Sequence, residues 1–167
     1  MTGGQPIRIQ PATPADVPLV LALIRELAEY ERLTQEVVAS ESLLHEALFG
    51  ERPAAEAVLA VAGDQPVGFA LWFQTFSTFL ARRGLYLEDL YVRPAWRGQG
   101  IGRALLGHLA RVAVARGCGR IEWSVLDWNE PAIRFYRSLG ARPMDEWTVF
   151  RITGDALASL GRASPSA

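Results

Sequence analysis

The chain has 167 residues, 17 basic and 18 acidic, for a formal net charge of −1; half of its residues are hydrophobic and 21% are charged. That is an ordinary globular composition, long enough for one well-cored domain, and the near-neutral balance supplies no overall field to recruit nucleic acid or an anionic membrane. The one cysteine, Cys118, excludes an internal disulfide and a cysteine-cluster metal site, and the two histidines, His45 and His108, lie too far apart for a zinc pattern.

No apolar run approaches the ~18 residues of a membrane span, and residues 1–10 carry no apolar signal core. The expectation is a cytoplasmic protein without a metal. One domain is expected over residues 1–160, with residues 161–167, small and polar, as a disordered tail.

In chain order, residues 7–10 read as a short strand. Thr13-Pro14-Ala15-Asp16 is a helix start, with Thr as cap, Pro at the first helical position and an acid three residues after the cap. Val17, Val20, Leu21, Ile24, Leu27 and Ala28 then mark one apolar helical face running to about Tyr30. Glu31 follows directly, and from the residues alone it is either a solvated helix-end charge or a site carboxylate. Ser40-Glu41 opens a second helix that Gly50 can terminate, with His45 on its solvent side. Residues 57–62 and 67–76 are strands joined by the turn Gly63-Asp64-Gln65-Pro66, an antiparallel hairpin. Residues 77–84 form a loop, either a plain connection or a substrate-side or dimer-side element.

Residues 85–92 are a strand interrupted by Glu88 and Asp89. Neighbours on a regular strand point to opposite faces, so only one of the two carboxylates is expected to face a given cavity. The other must be paired or lie near the sheet edge, because a lone buried carboxylate is costly. A helix follows at 101–116, a strand at 120–126, a short helix from Glu130 capped by Asn129 with Pro131 in its first turn, and a last strand at 144–152. The order predicts a mixed α/β fold, antiparallel first and parallel at the middle, with helices on both faces of the sheet and a right-handed crossover between the parallel strands.

Between strand and helix, Gly98, Gly100 and Gly102 alternate with Arg97, Gln99 and Ile101. Successive N–H groups in such a turn converge on an anion, and the helix N-terminus behind them adds unpaired amides and the positive end of the dipole. The spacing G-x-G-x-G fails the dinucleotide fingerprint G-x-G-x-x-G, and the Gly-Lys-Ser/Thr ending of a P-loop is absent. A glycine-rich loop with no ligand also remains open on these residues.

Arg97-Gly98-Gln99-Gly100-Ile101-Gly102 resembles the Q/R-x-x-G-x-G/A signature of the GNAT family of N-acetyltransferases. With Glu26-Leu27-Ala28-Glu29-Tyr30-Glu31, Leu85-Tyr86-Leu87-Glu88-Asp89 and Asp127-Trp128-Asn129-Glu130-Pro131-Ala132-Ile133-Arg134-Phe135-Tyr136, the chain is similar to one branch, the diamine (spermidine/spermine) acetyltransferases and their thialysine-acetylating relatives. The resemblance runs from about Ile7 to Ile152. It implies the acyl-CoA N-acyltransferase fold, a twisted mixed sheet of about six or seven strands in which strands 85–92 and 120–126 splay apart to admit the pantetheine arm of acetyl-CoA. It also implies that the amides of Arg97, Gly98, Gln99, Gly100, Ile101, Gly102 and Arg103 hold the pyrophosphate. Leu90, Tyr91 and Val92 would offer backbone groups to the thioester arm, and Asn129, Glu130, Pro131 and Ala132 would border it.

Acetyl transfer to an amine requires that the ammonium lose a proton and benefits from an acid that protonates the departing thiolate. The resemblance places Glu88 as the base and Tyr136 as the acid. A phenol is protonated at neutral pH and suited to donate, although from the residue alone a tyrosine there packs its ring on the sheet. It places Tyr30, Glu31, Glu88, Asp89, Glu122, Trp123 and Ser124 around the amine, with Asp89 either a second amine contact or an ion-pair partner. The acids favour a small cationic substrate, such as a polyamine or thialysine, by charge complementarity. The resemblance further implies a homodimer whose C-terminal strands, including Trp147-Thr148-Val149-Phe150, exchange partners. The competing readings are a non-catalytic acetyl-CoA-binding module, a regulatory interaction domain, and an acetyltransferase for a protein or aminoglycoside amine.

Overall fold

The computed structural model describes residues 6–162. The chain forms two compact units, divided between Leu126 and Asp127. The first carries a five-stranded sheet in the order β1 (Ile7–Pro11), β2 (Glu56–Ala62), β3 (Gln65–Ser77), β4 (Arg82–Val92) and β5 (Ile121–Glu122). The first four strands are antiparallel neighbours and β5 runs parallel to β4. Helix α1 (Val17–Tyr30) and helix α2 (Glu41–Phe49) cover one face, and helix α3 (Ile101–Ala115) crosses the other.

Each helix begins where its residues require. The Thr13 N–H donates to Asp16 Oδ2 at 2.7 Å, so a single 3₁₀ turn, Pro14–Asp16, precedes α1. Ser40 Oγ accepts the Leu43 N–H at 3.3 Å at the start of α2. On α1, Val20, Leu23 and Leu27 meet Leu59, Val61 and Phe69 of the sheet, and Leu48 of α2 closes that core. On α3, Ile101, Leu105, Leu109 and Ala113 repeat at helical spacing and pack on Val58, Ala60, Ala70, Leu85 and Leu87 from the opposite face. Central strands covered on both sides carry near-continuous apolar runs, which β2 and β3 show.

Three expectations are corrected. Five strands are present among the described residues, because residues 144–152 are not a strand. Trp147, Val149 and Phe150 favour strands by type, but β-propensity expresses packing on a pleated, half-buried surface, and residues 142–162 are all exposed. The expected loop 77–84 shrinks to the turn at 78–81: Ser77 Oγ accepts the Leu80 N–H at 3.3 Å, and β3 pairs with β4 out to Ser77 and Arg82. A helix not expected from the sequence, α5 (Gly154–Arg162), includes the first two residues of the expected tail, and the remainder of that tail, 163–167, lies outside the described residues. Helix α4 (Glu130–Ser138) starts at the expected cap, with Asn129 Oδ1 accepting the Ala132 N–H at 3.4 Å.

Leu105 is fully buried between α3 and the sheet. Leu105→Ala is expected to lower unfolding stability by ~2–5 kcal/mol, the range for a leucine cavity that the surroundings cannot close, measured by urea denaturation with an unchanged m-value.

Candidate active site

The site is built around one irregularity in β4. Leu71 pairs with Asp89 but the next residue of β3, Trp72, pairs with Leu87, so Glu88 is an extra residue, a β-bulge. Before the bulge Leu85 and Leu87 face the core under α3, and after it Leu90 and Val92 do. The parity of the strand therefore changes once. Tyr86, before the bulge, stacks on Phe73 with ring centroids 5.2 Å apart, and Tyr91, after it, joins the α1-side core. Glu88 keeps the phase of Tyr86 and Asp89 the phase of Tyr91, so both carboxylates reach the α1 face. The expectation that they would point to opposite faces holds only for an unbroken strand.

The end of α1 brings a third acid, Glu31. Burial pushes the Asp89 carboxyl up to about 7, and the neighbouring Glu88 and Glu31 charges push in the same direction. Burial also raises the Glu31 carboxyl above its ordinary value. Glu88 itself is exposed. Like charges gathered in a partly desolvated place disfavour their own ionisation, and a cation among them would relieve that repulsion.

The glycine turn follows β4 after a short 3₁₀ turn, Pro94–Trp96. Gly98 and Gly100 have φ of +76° and +79°, and a Cβ built on either meets nothing within 4 Å, so this backbone surface is open. Gly100 caps α3, whose first-turn amides at Ile101, Gly102 and Arg103 have no carbonyl of their own helix to bond. This concavity of amides at a helix N-terminus suits a phosphate. The Arg97 N–H is already bonded to Pro94 O at 3.2 Å, so the free amides begin at Gly98.

Beside the turn, β4 and β5 separate. Their ladder pairs Leu85 with Ile121 and Tyr86 with Glu122 and goes no further, while β4 continues to Val92. β5 is therefore two residues long instead of the expected 120–126. The Arg93 N–H donates to Val67 O on β3 at 2.9 Å, and by alternation Leu90 and Val92 turn their backbone groups to the opposite, open edge. Leu90 and Val92 side chains pack in the α3-side core, so backbone groups are what these positions can offer a ligand there.

Two arginines bind this region to α1: Arg93, which had no expected role, and Arg97, expected only as a backbone donor to the pyrophosphate. Arg93 makes a forked pair with Glu26, with contacts of 2.7 Å from Nη2 and 3.0 and 3.2 Å from Nε, and its Nη1 donates to Pro66 O at 2.8 Å. Arg97 donates from Nε to Val92 O at 2.9 Å and places its guanidinium 4.5 Å from the Tyr30 ring centroid and 5.7 Å from that of Tyr91. Glu26 and Arg93 are 67 residues apart, and nothing local in the sequence pairs them. On the strand side, the Tyr86 hydroxyl and Ser124 Oγ are 2.7 Å apart, Glu122 contacts Arg120 at 3.1 Å, and Trp123 packs against the α3-side core. Tyr86 had no assigned role in the sequence.

In the second unit, Asn129 caps α4, Glu130 lies 3.9 Å from Arg134, Pro131 and Ala132 form the first turn, and the Tyr136 ring lies against Phe135 with centroids 5.4 Å apart. The structure thus brings Tyr30, Glu31, Glu88, Asp89, Tyr91, Arg97 and the glycine turn together in the first unit.

A mixed sheet that opens at its parallel pair, beside a glycine cradle and a helix N-terminus, defines an acyl-transferring enzyme of the N-acetyltransferase type. The chain belongs to the acetyltransferase (GNAT) family, whose sequence profile matches residues 21–141 and whose members use acetyl-CoA. It is 39% identical over 165 residues to thialysine N-epsilon-acetyltransferase of Bos taurus, covering 92% of this chain and 96% of that protein. It is 35% identical over 200 residues to an L-ornithine N5-acetyltransferase of Arabidopsis thaliana, covering 93% and 88%. Among solved structures, an integron cassette protein from the mobile metagenome of V. cholerae superposes with a TM-score of 0.79 at 29% identity, covering 96% of this chain and all of that one.

The raised Asp89 has a consequence for stability. A carboxyl whose folded value lies above its unfolded value of 3.8 stabilises the fold while protonated, below the unfolded value, and that contribution is lost as pH rises through about 7. Asp89→Asn is therefore expected to be more stable than the parent at about pH 8 and to differ little near pH 4. At ~1.4 kcal/mol per pKa unit the ceiling on the difference is about 4 kcal/mol. Urea denaturation of both proteins at the two pH values measures it, and a parent-to-variant difference independent of pH would sink the assignment.

Proposed function

We propose that the protein acetylates the primary amine of a small cationic substrate, an amino acid with an amine-bearing side chain or a polyamine, in a ternary complex with acetyl-CoA. The observation that carries this reading is the bulge in β4, which gathers Glu88 and Asp89 on one face with Glu31, beside the glycine cradle. The relatives named for thialysine and ornithine support an amine carried on an amino-acid side chain.

The open backbone at Gly98 and Gly100 and the first-turn amides of α3 fit the pyrophosphate of acetyl-CoA, with Gln99 in the same turn. In this reading the Arg97 N–H, bonded to Pro94 O, is not among the pyrophosphate donors, and Arg103 adds its amide at the third helical position. When bound, acetyl-CoA supplies an acetyl group activated as a thioester. The ammonium of the substrate binds among Glu31, Glu88 and Asp89, and the acids of β4 receive its proton, directly or through water, so that the neutral amine attacks. Tyr30 forms the aromatic wall beside Glu31. Glu122 at the end of β5 and Ser124, held by Tyr86, border the amine from the other side, while Trp123 packs in the α3-side core. Tyr136 donates a proton to the departing sulfur, and Asn129 to Ala132 border the arm of the carrier. These last assignments rest on the motif match around Asn129 and Tyr136.

A homodimer belongs to the same proposal. Trp147, Val149 and Phe150 are 71%, 83% and 92% exposed, more apolar surface than one segment of a monomer normally presents to water. Sedimentation at micromolar concentration is expected to give twice the chain mass, and a monomer would remove this part.

The test of activity is thiol release from acetyl-CoA with thialysine, ornithine, lysine, spermidine, spermine, putrescine, an aminoglycoside and a lysine-containing peptide as acceptors. Turnover is expected on one or more of the free small amines. Tyr136→Phe is expected to bind acetyl-CoA as the parent does and to lower kcat by roughly 10²-fold, the ordinary size of a general-acid contribution. A Tyr136→Phe variant as fast as the parent across pH ends the acid assignment, and tight acetyl-CoA binding with no turnover on any acceptor favours a binding module.

A further inference from the structure

Glu26 and Tyr30 are four residues apart on α1, so they stand on the same side of the helix. Both meet the segment that joins β4 to α3, and both meet it through an arginine: Arg93 forks onto Glu26 and Arg97 lies over Tyr30. The two arginines flank the 3₁₀ turn that leads into the glycine cradle. Arg97 is the first residue of the glycine motif, where a cation would ordinarily be read as a ligand of phosphate. Its Nε donates to Val92 O at 2.9 Å, and the guanidinium carbon lies over the Tyr30 and Tyr91 rings, 4.5 and 5.7 Å from their centroids. Planar stacking on aromatic faces while donating in the ring plane is a geometry a guanidinium provides and an ammonium does not.

We propose that Arg97 acts through its side chain as a positioning residue, holding Tyr30 and the adjoining Glu31 of the amine site to the cofactor cradle, and that its guanidinium is not a ligand of the phosphates. This rests on the assignment of the Glu31, Glu88 and Asp89 face to the amine. Fixing the cradle around a bound anion would then also fix the end of α1, and the amine site would be ordered by the bound carrier. The coupling runs through the Val92 carbonyl at the end of β4, the Tyr91 ring beside Asp89, and the Tyr30 ring before Glu31.

The test compares the parent with Arg97→Ala and Arg97→Lys. Acetyl-CoA affinity is read by calorimetry, amine KM and kcat by thiol release, and backbone hydrogen exchange over residues 27–36 with and without acetyl-CoA. Arg97→Ala is expected to leave acetyl-CoA affinity within about threefold while raising the amine KM about tenfold, the scale on which a small misplacement of a binding group acts. Acetyl-CoA is expected to slow exchange at 27–36 in the parent and not in Arg97→Ala. Arg97→Lys is expected to recover part of the KM, and Arg97→Ala is expected to add little in a Tyr30→Leu background because both remove the same interaction. A fall in acetyl-CoA affinity of about tenfold or more, with amine KM unchanged, would make the side chain a phosphate ligand and overturn the proposal. Exchange at 27–36 that responds to acetyl-CoA equally in parent and variants would overturn it as well. If Arg97→Ala does not fold, Arg97→Lys decides by the same readings. Should the parent turn over no amine, the exchange measurement still decides this point, and the failure belongs to the proposed activity.

Discussion

One extra residue in β4 governs the arrangement of the site. A strand has a side-chain period of two, so without a skip the residues that cover α3 at Leu85 and Leu87 would be followed on the same face by Asp89 and Tyr91. Asp89 would then lie in the apolar core under α3, unpaired. The bulge at Glu88 returns Leu90 and Val92 to that core and turns Glu88, Asp89 and Tyr91 toward α1. It leaves one position out of the ladder with β3 and gathers like charges, and both penalties fall where a cation would be bound. A bulge is a common device for re-aiming side chains beside a site, and here it lies two residues beyond Tyr86, where the ladder with β5 ends.

The acids and the cradle belong to different elements, and arginine joins them. All 17 basic residues of the chain are arginine. The forked pairs Arg93–Glu26 and Arg116–Glu56 use the bidentate geometry of the guanidinium. The Arg116–Glu56 pair, at 2.6 and 2.7 Å, ties the end of α3 to the start of β2, and the guanidinium holds the Glu56 carboxyl below its ordinary value. Arg97 adds stacking to donation. The contacts Arg93–Glu26, Arg116–Glu56 and Arg97–Tyr30 span elements remote in sequence, so each restrains the tertiary arrangement more than it supports any one helix or strand.

The C-terminal region shows how residue type and environment part company. Residues 144–152 combine aromatic and β-branched side chains that are at home in a sheet, yet in this chain they are exposed and irregular, and the following α5 is exposed along its length. Strand formation needs a neighbour to complete the hydrogen-bond ladder and cover one face. Nothing in the residue types tells whether that neighbour belongs to the same chain.

The sequence by itself determined the elements with strong local causes. Helical spacing from Val17 to Ala28 and from Ile101 to Ala113, the caps at Thr13, Ser40 and Asn129, and the turn at Gly63-Asp64 are each written in adjacent residues, and they were enough for the mixed fold. The glycine turn was legible too, because positive φ at Gly98 and Gly100 and a helix start are local properties. Tertiary structure decided what depends on register and on distant partners. The bulge is invisible in Leu85 to Val92 because it is a mismatch in count between two strands, not a property of either. The joining of Arg93 to Glu26 and of Arg97 to Tyr30 follows from how α1 lies on the sheet, and the raised Asp89 follows from burial and from Glu31 arriving 58 residues earlier in the chain. Local propensity is set by a residue and its near neighbours, whereas electrostatics and strand pairing are set by whatever the fold brings close.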